Sequence, residues 1–159
     1  MRPQTVLLLG VLLCGSVGLL RADEPAAHTM VTPAELKWGD APPALPPGAK
    51  LAVLAGDPSK PGLFIMRLKL PAGYKIPAHW HPTDEHISVV SGSFAAGMGD
   101  KLDAAKMTAL PPGGFATMPA KMHHFAMAKK DTIIELTAIG PFQITYINPA
   151  DDPTKAAAK

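Results

Sequence analysis

Gly73-Tyr74-Lys75-Ile76-Pro77-Ala78-His79-Trp80-His81-Pro82-Thr83-Asp84-Glu85-His86-Ile87-Ser88-Val89-Val90-Ser91-Gly92 is the stretch on which the fold turns. Successive side chains of a strand point to opposite faces, so residues two apart share one. On a strand, His79 and His81 place both imidazoles into one space and Trp80 points away. Glu85 follows His81 by four residues, and a turn through Pro82-Thr83-Asp84 can bring its carboxylate back over that space. Ile87 and Val89 share parity with Glu85 and are read as barrel lining. Ser91-Gly92 is a hairpin-like turn.

The segments on either side carry the same signals. Leu51 to Ala55 reads as a short apolar strand and Gly56-Asp57-Pro58-Ser59 as a turn. Leu63 to Leu70 alternates, with Phe64, Met66, Leu68 and Leu70 on one side and Arg67 and Lys69 on the other, the pattern of a half-buried strand. Ser93 to Ala96, Phe115 to Met118, His124 to Ala128, Ile133 to Ala138 and Gln143 to Ile147 read as further strands. Pro111-Pro112-Gly113-Gly114 is a break, and Asp100 to Thr108 has room for one helical turn. With 18 prolines and 14 glycines in 159 residues, short strands joined by turns are favoured over helices. The reading is an all-β sandwich or barrel over residues 51–150. An extended, proline-rich arm over 23–50 is packed along it, with Trp38 as a packing anchor, and a frayed tail follows over 151–159.

The first 22 residues stand apart. Arg2, the apolar run Thr5 to Leu20, and Leu20-Arg21-Ala22 before Asp23-Glu24 have the layout of a cleavable secretory signal. The run is shorter than the roughly 20 residues a membrane span needs, so no lasting membrane anchor is expected. A secreted or periplasmic location follows. Cleavage would remove Cys14 and leave no thiol for disulfides or catalysis. It would also remove Arg2 and Arg21, taking Lys+Arg from 15 to 13 against 13 Asp+Glu. The mature chain is then near neutral, which argues against nucleic acid or an anionic membrane as partner.

Five of the six histidines lie in two clusters, His79, His81 and His86, then His123 and His124. Spacing by itself pairs only His79 with His81. A histidine from the distant cluster can close the set, and three imidazoles with one carboxylate suit a first-row divalent ion such as Fe, Mn, Zn, Ni, Co or Cu.

The spacing Gly73, five residues, His79, one residue, His81, three residues, Glu85, six residues, Gly92 resembles the first motif of the cupin superfamily at every defining position. Gly113, Pro119 and His124 resemble the second, with Lys121 in place of its second glycine and Ala128 in place of its terminal asparagine. The chain is similar to small single-barrel bacterial cupins, including the cupin domains of anti-sigma factors. The resemblance implies a jelly-roll barrel, often a homodimer, with metal held by His79, His81, Glu85 and His124. It selects His124 over His123, and leaves His123 and His86 as surface or supporting residues.

The expected function is a metal-dependent cupin enzyme, an oxygenase or isomerase acting on a small organic molecule. The alternative is a non-catalytic metal or small-ligand binding or sensor module. Phe64, Met66, Met118, Met122, Phe125 and Met127 are candidate core or pocket walls. Arg67, Lys75 and Lys121 are the candidate cations for an anionic substrate, and Tyr74 and Tyr146 the candidate proton carriers.

Overall fold

The computed structural model describes residues 29–156. The expected leader over 1–22, with Cys14, lies outside the described residues, as do the start of the arm and residues 157–159. Among the described residues, eleven strands build two antiparallel sheets. They are β1 (Gly39–Asp40), β2 (Lys50–Ala55), β3 (Gly62–Leu70), β4 (Lys75–Trp80), β5 (Glu85–Ser91), β6 (Phe94–Met98), β7 (Thr108–Leu110), β8 (Phe115–Met118), β9 (His124–Ala128), β10 (Thr132–Gly140) and β11 (Thr145–Tyr146). One sheet runs β1-β2-β3-β10-β5-β8, the other β11-β4-β9-β6-β7. This is the expected jelly-roll barrel.

The long pair β3 and β10 is the spine of the first sheet, in register from Gly62 opposite Gly140 to Leu70 opposite Thr132. The alternation read in the sequence is the cause. Phe64, Met66, Leu68 and Leu70 are buried, and Ile134, Leu136 and Ala138 answer them from β10. Fully burying each large side chain contributes about 1.5–3 kcal/mol. On the outer face Arg67 reaches across to Glu135 at 2.9 Å. Ser91-Gly92 joins no hairpin, since β5 and β6 lie in different sheets. The chain crosses between them at Gly92, where φ is +88° and a Cβ would stand 2.3 Å from the Asp131 carbonyl oxygen, so both conformation and space require glycine.

The arm is tied to the barrel end. β1 pairs with β2, and Leu45, 6% exposed, packs into the core. The Tyr146 hydroxyl donates to the Ala44 carbonyl at 2.8 Å, and the Tyr74 hydroxyl donates to the Pro46 carbonyl. Trp38 is half-buried beneath the Lys69 ammonium, 4.7 Å from the ring centroid, a cation–π contact.

Several expectations need correction. Gln143–Ile147 is not a full strand, since only Thr145 and Tyr146 pair, with Trp80 and His79 of β4. Pro141 has no amide to donate, and the Phe142 amide bonds instead to the Pro58 carbonyl at 2.7 Å. That bond draws the chain across the barrel mouth before it can join a ladder. Within the described part of the tail, Pro149–Asp151 and Pro153–Ala156 form short helical turns, the first capped by Asn148 and the second preceded by Asp152, which accepts from Thr154. Met122 is not a wall, being 37% exposed, because the inward positions of β9 are His124, Ala126 and Ala128. Met127, of the opposite parity, is half-buried. Phe125 also has that parity, yet is sealed by close approach to Gly97, where an added Cβ would lie 2.6 Å from its ring. The helical turn expected within 100–108 forms at Ala104–Lys106.

Candidate metal centre

His79, His81, Glu85 and His124 are all buried, between 2% and 5% exposed. Three features bring them together. First, β4 and β9 pair so that His79 lies directly opposite His124, with a register shift between Ile76 and His79. Strict alternation from the buried Ile76 would turn Ala78 and Trp80 inward. The bulge spends an extra residue and turns His79 and His81 inward instead.

Second, Pro82–Asp84 carries the chain from one sheet to the other. The Thr83 hydroxyl donates to the Ile139 carbonyl at 2.9 Å, and the Asp84 carboxylate accepts from the Ala120 amide at 2.8 Å. These bonds pin the crossover that returns Glu85 to the histidines. Third, the turn before β9 is held by the Lys121 amide donating to the His81 carbonyl at 2.8 Å. Lys121 has φ +62°, in the left-handed region. The lysine keeps the backbone conformation that the glycine of the second motif would adopt.

Each imidazole is oriented from behind. Nδ1 of His79 donates to the Pro77 carbonyl (2.7 Å), that of His81 to the Gln143 carbonyl (2.7 Å) and that of His124 to the Met122 carbonyl (2.9 Å). With the proton on Nδ1, each Nε2 carries a lone pair, and backbone carbonyls that lock the tautomer in this way are the usual support for metal-binding histidine. One nitrogen from each of the three rings lies within 4.8 Å of the others. Nε2 of His81 and of His124 is buried without a hydrogen-bond partner. A buried, unpaired acceptor costs about 1–3 kcal/mol, a cost that a bound ion removes.

Glu85 presents Oε1 3.6 Å from His81 Nε2 and Oε2 3.5 Å from His124 Nε2, at or beyond hydrogen-bond reach. Among the described residues no lysine or arginine pairs with it. Burial pushes His79 down to about 3, helped by His124 and His81, and burial likewise lowers His81. Burial works to raise Glu85, but the His124, His81 and His79 rings outweigh it and hold the carboxyl below its ordinary range. Neutral imidazoles beside an anionic carboxylate make a donor set suited to a divalent cation. The residues therefore fit a divalent metal ion.

The other candidates lie elsewhere. His123 faces outward to Asp100 at 2.6 Å, and His86 faces Thr117 at 3.1 Å on the outer side of β5. Arg67 is engaged by Glu135, Lys75 and Lys121 are exposed, and both tyrosine hydroxyls bond the arm. Among the described residues no lysine or arginine lines the cavity, which leaves about 20 Å³ at its centre, room for one or two waters. Met118 and Phe94 are among its walls, together with three residues the sequence reading did not single out, Leu45, Phe142 and Ile144. The Phe142 ring stacks on His81 with centroids 4.7 Å apart. No periodicity marks these three, since none lies on a strand.

Two facing sheets closed over a buried histidine triad that can hold a metal are the cupin fold. Residues 18–145 match the family described as Domain of unknown function (DUF4437), and the chain belongs to that family. No curated protein matches it. Among solved structures it is similar to a putative acetylacetone dioxygenase from Methylibium petroleiphilum PM1, with 19% identity, TM-score 0.62, and 83% of this chain and 89% of that one covered. It is also similar to the polyketide cyclase RemF from Streptomyces resistomycificus, with 14% identity, TM-score 0.62, and 84% and 94% covered. An RmlC-like cupin from Shewanella frigidimarina NCIMB 400 gives 17% identity, TM-score 0.55, and 71% and 91% covered. At these identities the likeness is one of fold.

Proposed function

We propose that the protein is a metal-dependent oxygenase of a small, uncharged organic molecule, with one divalent first-row ion held by His79, His81, Glu85 and His124. The observation that carries this reading is the pair of buried Nε2 atoms on His81 and His124 that lack a hydrogen-bond partner, beside the buried Glu85 carboxylate. Such an ion supplies Lewis-acid and redox chemistry at the coordination positions the protein leaves open. The residues do the rest. The three carbonyl-locked imidazoles present lone pairs, and Glu85 lowers the charge of the site. Ile87, Phe94, Met118 and Leu136 keep bulk water out. Among the described residues no lysine or arginine faces the cavity, which supports a neutral substrate. Oxygen chemistry is the reaction named for one neighbour of this fold, a putative acetylacetone dioxygenase, whereas RemF at the same TM-score is a polyketide cyclase, so the choice rests on the assay below. The leader-like residues 2–22 support export, which fits a centre that needs no thiol.

The test is metal analysis of protein purified from its own host, followed by oxygen-uptake assays against small neutral carbonyl compounds. One metal per chain and oxygen consumption, both lost in His81→Ala, are expected. Protein that retains metal yet consumes no oxygen with any compound would favour a binding or sensor module. That second reading is supported by the lack, among the described residues, of any acid–base side chain at the cavity beyond the four proposed ligands.

A further inference from the structure

A second, larger space lies beside the metal cavity at the barrel mouth, and the four proposed ligands take no part in it. Its volume is about 380 Å³, within the range of small-molecule sites. Its walls come from the arm at Ala44, from the turn after β2 at Asp57 and Ser59, and from the segment after β10. Leu45, Phe142 and Ile144 line both spaces. These three apolar side chains are thus a partition, one residue thick, between the chamber and the metal cavity.

The partition is wired to a proposed metal ligand. The Phe142 ring stacks on His81, 4.7 Å between centroids at 22°. The next residue, Gln143, supplies the carbonyl that accepts the His81 Nδ1 proton at 2.7 Å. The Phe142 amide is anchored on the chamber side, to the Pro58 carbonyl. A side chain displaced in the chamber therefore moves the segment that orients His81.

We infer that this chamber binds a small, uncharged, apolar molecule, and that Leu45, Phe142 and Ile144 form the gate through which its occupancy reaches His81. The chemistry of the walls selects the class. Their polar side chains are already satisfied, with the Ser59 amide and hydroxyl on Asp57 at 2.9 and 2.7 Å and the Lys60 ammonium on Asp57 at 3.0 Å. The Asp57 charge at the rim repels anions. The size supports the division of labour, since the 20 Å³ beside the histidines holds no organic molecule while the gate is closed. The gate rests on the metal reading above; the chamber does not.

The test uses the full chain, metal-free and loaded with Co²⁺, titrated with the uncharged fluorophore N-phenylnaphthylamine. One saturable site per chain is expected in both forms, weakened about tenfold or more by Ala44→Phe and by Ser59→Phe. The anionic relative anilinonaphthalene sulfonate should bind about tenfold more weakly than the neutral probe. In the cobalt form, binding should shift the visible absorption, and Phe142→Ala should abolish the shift while keeping cobalt bound. No saturable binding, or binding indifferent to both filling variants, overturns the chamber and leaves the metal reading intact. Probe binding without any cobalt uptake overturns the metal reading and the gate together while the chamber stands. A cobalt spectrum unmoved by bound probe overturns the gate alone.

Discussion

His79 and His124 face each other across β4 and β9 with their ring centroids 4.2 Å apart and both side chains buried. Cross-strand partners on one face always meet closely, but two imidazoles at this distance, away from water, cannot both take up a second proton and become cations without large cost. The pair is stable when neutral, and then each ring has a lone pair to offer.

Metal should therefore stabilise the fold. At a free ion concentration 100 times the dissociation constant, the gain is about 2.7 kcal/mol. Calorimetry of metal-free protein with and without Zn²⁺ or Co²⁺ should show a higher Tm with the ion, reversed by a chelator. His124→Ala should take up less than about a tenth of an equivalent under conditions that fill the native site. An unchanged Tm on adding metal would remove the basis of the proposed function.

The same burial sets a pH dependence for the metal-free protein. His79 protonates near its ordinary value of 6.5 when unfolded and at about 3 when folded. Between those values the unfolded chain holds more protons, so stability is present above 6.5 and is lost as pH falls toward 3. The slope is about 1.4 kcal/mol per pH unit for each such group. His81 shifts in the same direction, and Glu85, also lowered, adds to the loss below 4.5. Urea midpoints should fall by an amount worth at least about 2 kcal/mol between pH 6.5 and 5. A flat profile would show that these histidines are solvated.

Lys121 holds the turn before β9 at φ +62°, where a side chain costs about 1–2 kcal/mol. Lys121→Gly should raise stability by about 0.5–1 kcal/mol after the added freedom of the unfolded chain is counted. Lys121→Val should lower it. Denaturant melts of the two variants check the order, and the reverse order would mean that the lysine side chain makes a compensating contact.

Tyr146→Phe removes the bond from the barrel to the Ala44 carbonyl and should cost about 1 kcal/mol. Because that bond holds the arm, cleavage by a protease within residues 42–48 should quicken while metal uptake stays unchanged. Equal cleavage rates would show that Leu45 packing alone retains the arm.

Much of the barrel was legible because half-buried strands write their pairing into a two-residue rhythm. Phe64, Met66, Leu68 and Leu70 had to be apolar because one face of β3 is core, and Arg67 and Lys69 polar because the other is not. The histidine pair was legible for the same reason. Phe142 and Leu45 were not. They reach the site from a loop and an arm whose conformations are set by bonds to Pro58 and Tyr146, residues distant in sequence, and no local rhythm records such bonds.

The amino-acid order by itself determined which side chains can act on a metal: two histidines sharing a face, a carboxylate one turn away, and a distant histidine pair, of which the motif resemblance favoured His124. It did not determine that the shared face is the inner one. Counting by twos from the buried Ile76 puts His79 and His81 outside. Only pairing with β9 opens the bulge between Ile76 and His79 that turns them inward. Alternation is a local rule that holds between bulges, whereas a bulge depends on the strand alongside, and that partner is chosen when the barrel closes.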